Sequence, residues 1–160
     1  MIKQKQQQLQ VPTLEQVLEH SPLTVLPDTP LIDVIALINP VSSSAVESLS
    51  DFRRCVLVAE EKSLVGIFTS TDIARLTGAG VDLSKGTISK VMTQPVISLT
   101  LDPAQNAITA LSSISKHGIH YLPVVDEQGQ LVGLITQEKI HQVIQLVYLL
   151  KQQAGTHDTN

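Results

Sequence analysis

The stretch Gly66-Ile67-Phe68-Thr69-Ser70-Thr71-Asp72 decides how the rest of the chain is interpreted. It begins within the second of two apolar runs of strand character, residues 55–58 and 64–68, and leads into a helical pattern. Hydroxyls at the start of a helix suit a phosphate, and a carboxylate there can accept from sugar hydroxyls. The same residues also predict a ligand-free helix cap, because Thr69 and Asp72 have the Ser/Thr-x-x-acid spacing of a capping box.

The composition is that of an aliphatic, weakly charged protein. Of the 160 residues, 42% are hydrophobic and 16% are charged, which is enough to bury the core of one ordinary domain or two small ones. There is no Trp, and Val, Ile and Leu dominate, as in strands packed under helices. The formal net charge of −4 argues against a large nucleic-acid surface.

Several function classes are disfavoured by the residues that carry chemistry. The single cysteine, Cys55, lies in an apolar run and predicts a buried thiol, and no metal site is predicted from the five histidines. The acid pairs Glu60/Glu61 and Asp126/Glu127 fall in predicted turns, where solvated side chains are expected rather than a general acid and base. We therefore expect a protein that is not an enzyme.

No apolar run has the length of a membrane span, and the Gln-rich N-terminus is not followed by the apolar segment of a signal peptide. We expect a cytoplasmic protein with neither a membrane nor a nucleic acid as a partner.

An internal repeat organises the chain. Pro22 matches Pro95 at an offset of 73 residues, and Gly66 matches Gly133 at an offset of 67, with the difference assigned to a Ser-rich loop at residues 39–50. This period is too long for common solenoid units. It predicts a mixed α/β (α+β) fold in which two β-α-β-β-α repeats pack sheet to sheet with pseudo-two-fold symmetry. The predicted segments are a polar tail (1–12), a first repeat (13–77) with the insertion 39–50, a linker (78–87), a second repeat (88–150) and a polar tail (151–160).

Both copies resemble the CBS domain family, and together they resemble a tandem CBS pair, or Bateman module. The resemblance covers residues 14–148, and residues 66–72 resemble the family's Gly-apolar-x-Thr/Ser-x-x-Asp nucleotide signature. The most specific stretches are Met92-Thr93-Gln94-Pro95-Val96, His117-Gly118-Ile119-His120-Tyr121-Leu122-Pro123-Val124-Val125-Asp126 and Leu131-Val132-Gly133-Leu134-Ile135-Thr136.

The resemblance implies a regulatory module that binds AMP, ADP or ATP, or alternatively S-adenosylmethionine, with no catalytic cofactor. Asp72 would hold the ribose hydroxyls, with Thr69 and Thr71 beside the phosphate or ribose and Ile67 beside the base. The other copy would complete the cleft. Its contribution would be the backbone of Val96 and Ile97 at the adenine edge, with His120, Tyr121 and Pro123 closing over the ligand.

The second copy departs from this pattern. Lys139 stands where the first copy has Asp72, although Thr136 keeps the place of Thr69, so we expect one competent site. A weaker anion site in the second cleft stays open, lined by Thr24, Val25, Arg54, Thr136 and Lys139. Tyr121 replaces a residue that is basic in many family members, which leaves the preference for a triphosphate open. His120 by itself is better explained as a satisfied core or rim histidine, and only the repeat makes a ligand contact an equal alternative.

The last helical pattern is apolar on more than one face and continues through residues 146–150. It predicts either packing within its own repeat or, as we favour, a homodimer. The leading hypothesis is a nucleotide sensor that acts on an effector protein or a fused output domain such as a kinase. The alternative is a structural interaction module in which Thr69 and Asp72 only cap a helix.

Overall fold

The computed structural model describes residues 10–38 and 55–155. The predicted Ser-rich insertion and Arg54 lie outside these residues. The described elements are α1 (Leu14–Val17), β1 (Thr24–Val25), α2 (Leu31–Ile38), β2 (Cys55–Glu60), β3 (Ser63–Thr69), α3 (Ser70–Gly78), a 3₁₀ turn (Ile88–Lys90), β4 (Leu99–Thr100), α4 (Ala107–His117), β5 (Tyr121–Val125), β6 (Leu131–Thr136) and α5 (Gln137–Gly155).

Two three-stranded sheets of the same construction form the framework. In each sheet the first strand pairs in parallel with the second, and the second pairs antiparallel with the third, giving the orders β1-β2-β3 and β4-β5-β6. Their facing surfaces meet through a buried cluster that contains Cys55, Leu57 and Leu134. The predicted mixed α/β fold, with two repeats packed sheet to sheet, is therefore confirmed.

The ladder registers correct the predicted alignment of the two repeats. Val25 pairs with Val58, which faces Gly66, and Leu99 pairs with Val124, which faces Gly133. The first strands of the two repeats are therefore offset by 74 residues, and the match of Pro22 with Pro95 at 73 was wrong by one. The prolines lie in irregular segments ahead of the strands, where a one-residue shift is tolerated. In a strand ladder, a one-residue shift of register would turn every side chain to the opposite face of the sheet.

The short element that opens each repeat packs into the core of the other repeat. Thr13 and Gln16 form a capping box that starts α1, although this helix has only four residues. The side chains of Leu14 and Val17 are buried among residues of α4, β5 and α5. Conversely, Ile88 from the 3₁₀ turn is buried among residues of α2, β2 and β3. The sequence repeat and the packing unit are therefore not the same segment of chain.

The chain that follows each opening element crosses the third strand of the other sheet. Glu19 and Leu134 exchange two backbone hydrogen bonds of 2.8 and 2.9 Å, and Thr93 and Ile67 exchange two of 2.8 and 3.1 Å. A Cβ atom at Gly133 would lie 2.5 Å from the carbonyl oxygen of Glu19. Glycine is therefore required there by the closeness of the two backbones.

The last helix extends past the core that it helps to form. Ile140 is fully buried, but the helix continues to Gly155, five residues past the predicted boundary at 150. Large apolar side chains on its second half are about half exposed, namely Leu146, Tyr148, Leu149 and Leu150. Within the described residues, no helix combines the length and the apolar character needed to cross a membrane.

Candidate functional site

Asp72 caps α3, as the Ser/Thr-x-x-acid spacing predicts. Its Oδ2 atom accepts a hydrogen bond of 2.8 Å from the backbone N–H of Thr69, and the Thr69 hydroxyl lies 3.3 Å from the same oxygen. The carboxylate is mostly enclosed, with 13% of the side chain exposed. One of its two oxygens is therefore committed to the start of the helix.

The other oxygen of Asp72 faces the junction between the repeats. Oδ1 lies 3.3 Å from Nη2 of Arg75 and 3.5 Å from the hydroxyl of Thr93. Thr93 comes from the segment that crosses Ile67, so the two repeats meet at this carboxylate. Both contacts are long for hydrogen bonds to a charged oxygen and leave Oδ1 with accepting capacity.

An open groove of about 640 Å³ lies between the repeats near the start of β3. Val96, predicted for the adenine edge, lines it, while Ile97 is 39% exposed and does not line it. The lining contains both polar and apolar side chains. The full lining is Leu64, Val65, Gln94, Pro95, Val96, Ser98, Val125 and Gly129.

The second repeat presents its predicted contact residues to different degrees. His120 is exposed and bonded to Gln137, Tyr121 is half-buried in the cluster between the sheets, and Pro123 is buried within β5. Thr71 is exposed in the first turn of α3. The structure therefore gathers Ile67, Thr69, Asp72 and Tyr121 around the meeting of the two sheets, and buries Pro123 in strand pairing.

Cys55 belongs to the buried cluster between the sheets, and its pKa responds to the charges nearby. Burial, and then the negative charges of Asp72 and Glu19, raise the pKa of the Cys55 thiol to about 12. Its side chain is buried, as its apolar surroundings in the sequence predict. The thiol is therefore a neutral, packed group and not a nucleophile.

The second cleft has the same framework with different chemistry. Thr136 caps α5 by accepting from the backbone N–H of Lys139 at 3.0 Å, so the hydroxyl keeps its structural role where the acid is lost. The Lys139 side chain is exposed. Thr24 is exposed and donates to the carbonyl of Pro22, and Val25 packs on the first core.

Three residues that the structure places at the site have no role that the sequence predicts. Thr93 was part of a quoted motif, yet only the crossing brings it to Asp72. Arg75 was detectable as an i, i+3 partner of Asp72. From the sequence, Gln137 could be recognised only as the residue that follows the capping Thr136. Its hydrogen bond to His120 joins residues that are 17 positions apart.

The described residues offer no grouping of three or more His, Cys, Asp or Glu side chains that could hold a metal ion. Asp126, one of the turn acids, accepts from the backbone N–H groups of Gln128 and Gln130 at 2.9 and 2.8 Å. It therefore shapes its turn, as predicted.

A duplicated α/β module with a cleft between its copies is a pseudo-symmetric domain pair, and comparison with known proteins gives its class. The family model for the CBS domain matches residues 14–78 and again 88–145. The chain therefore belongs to the CBS domain family and is a tandem pair. Such pairs are generally regulatory and accompany catalytic domains in some enzymes.

Relatives with known names contain this module as a minor part. Homoserine O-acetyltransferase of Methanococcoides burtonii is 38% identical over 88 residues, which are 55% of this chain and 17% of that protein. Arabinose 5-phosphate isomerase KdsD of Francisella tularensis is 39% identical over 90 residues, which are 56% of this chain and 26% of that protein. The chain thus spans about a quarter or less of these two relatives.

Solved structures of the same fold include pairs with bound adenosyl ligands. The CBS domain pair of protein MJ0100, in complex with 5-methylthioadenosine and S-adenosyl-L-methionine, has a TM-score of 0.65 at 24% identity. The match covers 82% of this chain and 98% of that one. The cytosolic domain of the Mg²⁺ channel MgtE in complex with ATP has a TM-score of 0.61 at 18% identity, covering 82% and 48%. These likenesses concern the fold.

Proposed function

We propose that this chain is a regulatory module that binds one adenosyl ligand, AMP, ADP, ATP or S-adenosylmethionine, in the cleft between its repeats. The observation that carries the proposal is that the two carboxylate oxygens of Asp72 make different contacts. Oδ2 caps α3, while Oδ1 faces Thr93 of the other repeat through a contact of 3.5 Å. A ribose hydroxyl bound at Oδ1 would replace weak contacts and leave the cap intact.

The surroundings support a ligand that spans both repeats. The groove lined by Val65 and Val96 offers an apolar surface between the repeats, although Thr69 and Asp72 are not part of its lining, and Thr69 brings a hydroxyl at the start of α3. Lys139 at the position equivalent to Asp72 supports one competent site, since its ammonium group has no acceptor for a ribose. The known adenosyl complexes of this fold make the ligand class chemically reasonable.

A ligand-free interaction module is the competing function, and one observation favours it. Both oxygens of Asp72 already have protein partners, so the carboxylate is explained without a ligand. The melting temperature, measured with and without ligand, distinguishes the two functions. A ligand that binds only the native state raises the melting temperature, by an amount that grows with its concentration.

Calorimetric titration with AMP, ADP, ATP and S-adenosylmethionine tests the proposal. The informative variant is Asp72→Asn, which keeps an oxygen for the cap and removes the charge that strengthens a ribose hydrogen bond. We expect its affinity to fall by about tenfold, corresponding to roughly 1.5 kcal/mol for a bond to a charged group.

The matched control is Asn106→Ala, which removes the N-cap side chain of α4 and its hydrogen bonds to the backbone of Ile108 and Thr109. It should lower stability without changing affinity. If no adenosyl ligand binds the wild type, or if Asp72→Asn binds as tightly as the wild type, the proposed site is wrong.

Transmission to an effector or a fused output domain would use the crossings between the repeats. A ligand held by Asp72 and by the segment around Val96 would lie next to the backbone pairing of Thr93 with Ile67. It would change the relative packing of the repeats only if it binds the two arrangements unequally. Hydrogen exchange at the amides of Ile67 and Thr93, with and without ligand, measures this change.

The exposed end of α5 supports a homodimer as the functional unit. Leu146, Leu149 and Leu150 follow the i, i+3, i+4 spacing of one helix face, and each is at least half exposed. Two copies of such a face can bury each other about a two-fold axis. Leu149→Glu should convert the dimer to a monomer in light scattering, whereas Lys151→Glu, at an exposed position on the opposite side of the helix, should not. A wild type that is monomeric at high concentration would contradict this assembly.

A further inference from the structure

Arg75 lies one helical turn after Asp72 on α3 and contacts the carboxylate oxygen that faces the other repeat. Its Nη2 atom lies 3.3 Å from Oδ1 of Asp72, and the hydroxyl of Thr93 lies 3.5 Å from the same oxygen. A hydrogen bond between a guanidinium and a carboxylate is usually about 2.7–2.9 Å long. The contact is therefore loose, and a ligand hydroxyl that binds Oδ1 can take the place of the guanidinium.

The Arg75 side chain is free to turn towards a ligand. A guanidinium carries five N–H donors in a planar fork, and the contact with Asp72 uses Nη2. The side chain of Arg75 is 59% exposed, whereas that of Asp72 is 13% exposed. Arg75 can therefore leave Oδ1 without disturbing packed groups, while its positive charge stays beside the site.

The second repeat lacks both members of this pair. At the offset of 67 residues, Lys139 corresponds to Asp72 and Gln142 corresponds to Arg75. Nε2 of Gln142 instead lies 3.4 Å from a carboxylate oxygen of Glu138. The acid and the arginine therefore occur together, in the repeat for which a ribose contact is proposed.

We propose that Arg75 is a specificity-determining residue, which leaves Asp72 when a ligand binds and pairs with the phosphate of that ligand. This inference rests on the proposed function, in which a ribose hydroxyl binds Oδ1. An uncharged nucleoside leaves the displaced guanidinium without an anionic partner, and S-adenosylmethionine, with its net positive charge, is repelled by it. A phosphate accepts two parallel hydrogen bonds from a guanidinium. The site therefore selects AMP, ADP and ATP over adenosine and S-adenosylmethionine.

The preference is measured as the ratio of the Kd for adenosine to the Kd for AMP, by calorimetric titration at low salt. Arg75→Met keeps an unbranched side chain and removes the charge. We expect the ratio to fall by about tenfold, the lower end of the range for a hydrogen bond to a charged group, and S-adenosylmethionine to bind more tightly. Arg75→Lys keeps the charge and should retain most of the preference. Melting temperatures show whether each variant is folded.

The matched control is Lys85→Met, which removes a positive charge from another i, i+3 pair. Nζ of Lys85 lies 3.7 Å from Oδ2 of Asp82, in the linker between the repeats. This variant should leave the ratio unchanged. A second measurement needs no variant: the preference of the wild type for AMP should fall as salt is added, because salt screens exposed charges.

The outcomes separate this inference from the proposed function. The role of Arg75 is overturned, and the proposed function stands, if the ligands bind but the ratio is the same in Arg75→Met as in the wild type. Equal losses for all three ligands, a wild-type preference that does not depend on salt, or a wild type that favours S-adenosylmethionine over AMP have the same meaning. If none of the three ligands binds the wild type, both proposals fail together.

Discussion

Gly133→Ala tests how closely the first repeat's lead segment crosses the second sheet. The new Cβ would lie 2.5 Å from the carbonyl oxygen of Glu19 and 2.7 Å from Cδ1 of Leu18. Because the carbonyl belongs to a backbone held by two hydrogen bonds to Leu134, it cannot rotate away as a side chain would. The overlap must move the crossing segment or β6.

The magnitude follows from opposing effects. Overpacking costs about 1–3 kcal/mol, and weakening the two bridge hydrogen bonds adds roughly 1 kcal/mol. Replacing glycine by alanine restricts the unfolded chain and returns about 0.4–1 kcal/mol. We therefore expect Gly133→Ala to lower the free energy of unfolding by about 2 kcal/mol in urea denaturation.

Two other glycines calibrate this measurement. At Gly66 the added Cβ would overlap Met92, with Cγ 2.7 Å away, but the obstruction is a flexible thioether that can change rotamer. Gly66→Ala should therefore lower the free energy of unfolding by about half as much as Gly133→Ala. At Gly78 nothing lies within 4 Å, so alanine at this helical position should stabilise the protein slightly. The reasoning fails if Gly133→Ala melts like the wild type or is milder than Gly66→Ala.

Two further predictions concern the capped opening helix and the buried thiol. Thr13→Ala should lower the free energy of unfolding by about 1 kcal/mol, because the capping box with Gln16 starts the short helix α1. The control Ser112→Ala, at an exposed position, should leave the free energy of unfolding unchanged. Equal losses in the two variants would contradict the role of the cap. Since the pKa of Cys55 is raised from 9.0 to about 12 in the folded protein, the unfolded thiol ionises first, and stability falls as pH rises above about 9, by roughly 1.4 kcal/mol at pH 10. The difference in unfolding free energy between wild type and Cys55→Val should change by that amount between pH 8 and pH 10, and a constant difference would refute the assignment.

Much of the local structure was predictable because short-range patterns specify it. The two apolar runs that flank the Glu60–Ser63 turn became β2 and β3, and the Thr69/Asp72 spacing became a real cap. The asymmetry between Asp72 and Lys139 was also visible, since both follow a capping threonine by three residues. Each of these features depends on neighbours within a few positions.

The candidate site was predictable only in part. Ile67, Thr69 and Asp72 do gather at the junction between the repeats, and the capping-box spacing predicted the bond from the Thr69 backbone to Asp72 but not the contact of Asp72 with Thr93. The groove wall formed by Leu64 and Gly129 had no sequence signal, because a strand residue and a turn glycine carry no binding pattern.

The sequence by itself determined that there are two copies of one α/β module and that only the first keeps the acid. Periodicity, capping and turn chemistry are local, so they are legible in one chain. Only the tertiary structure decided that each copy's opening element packs into the other copy's core, and that Thr93 therefore meets Asp72. Either core would accept an apolar helix of the same length. The choice depends on the close backbone crossing at Gly133 and on the backbone bridge between Ile67 and Thr93, which no local pattern records.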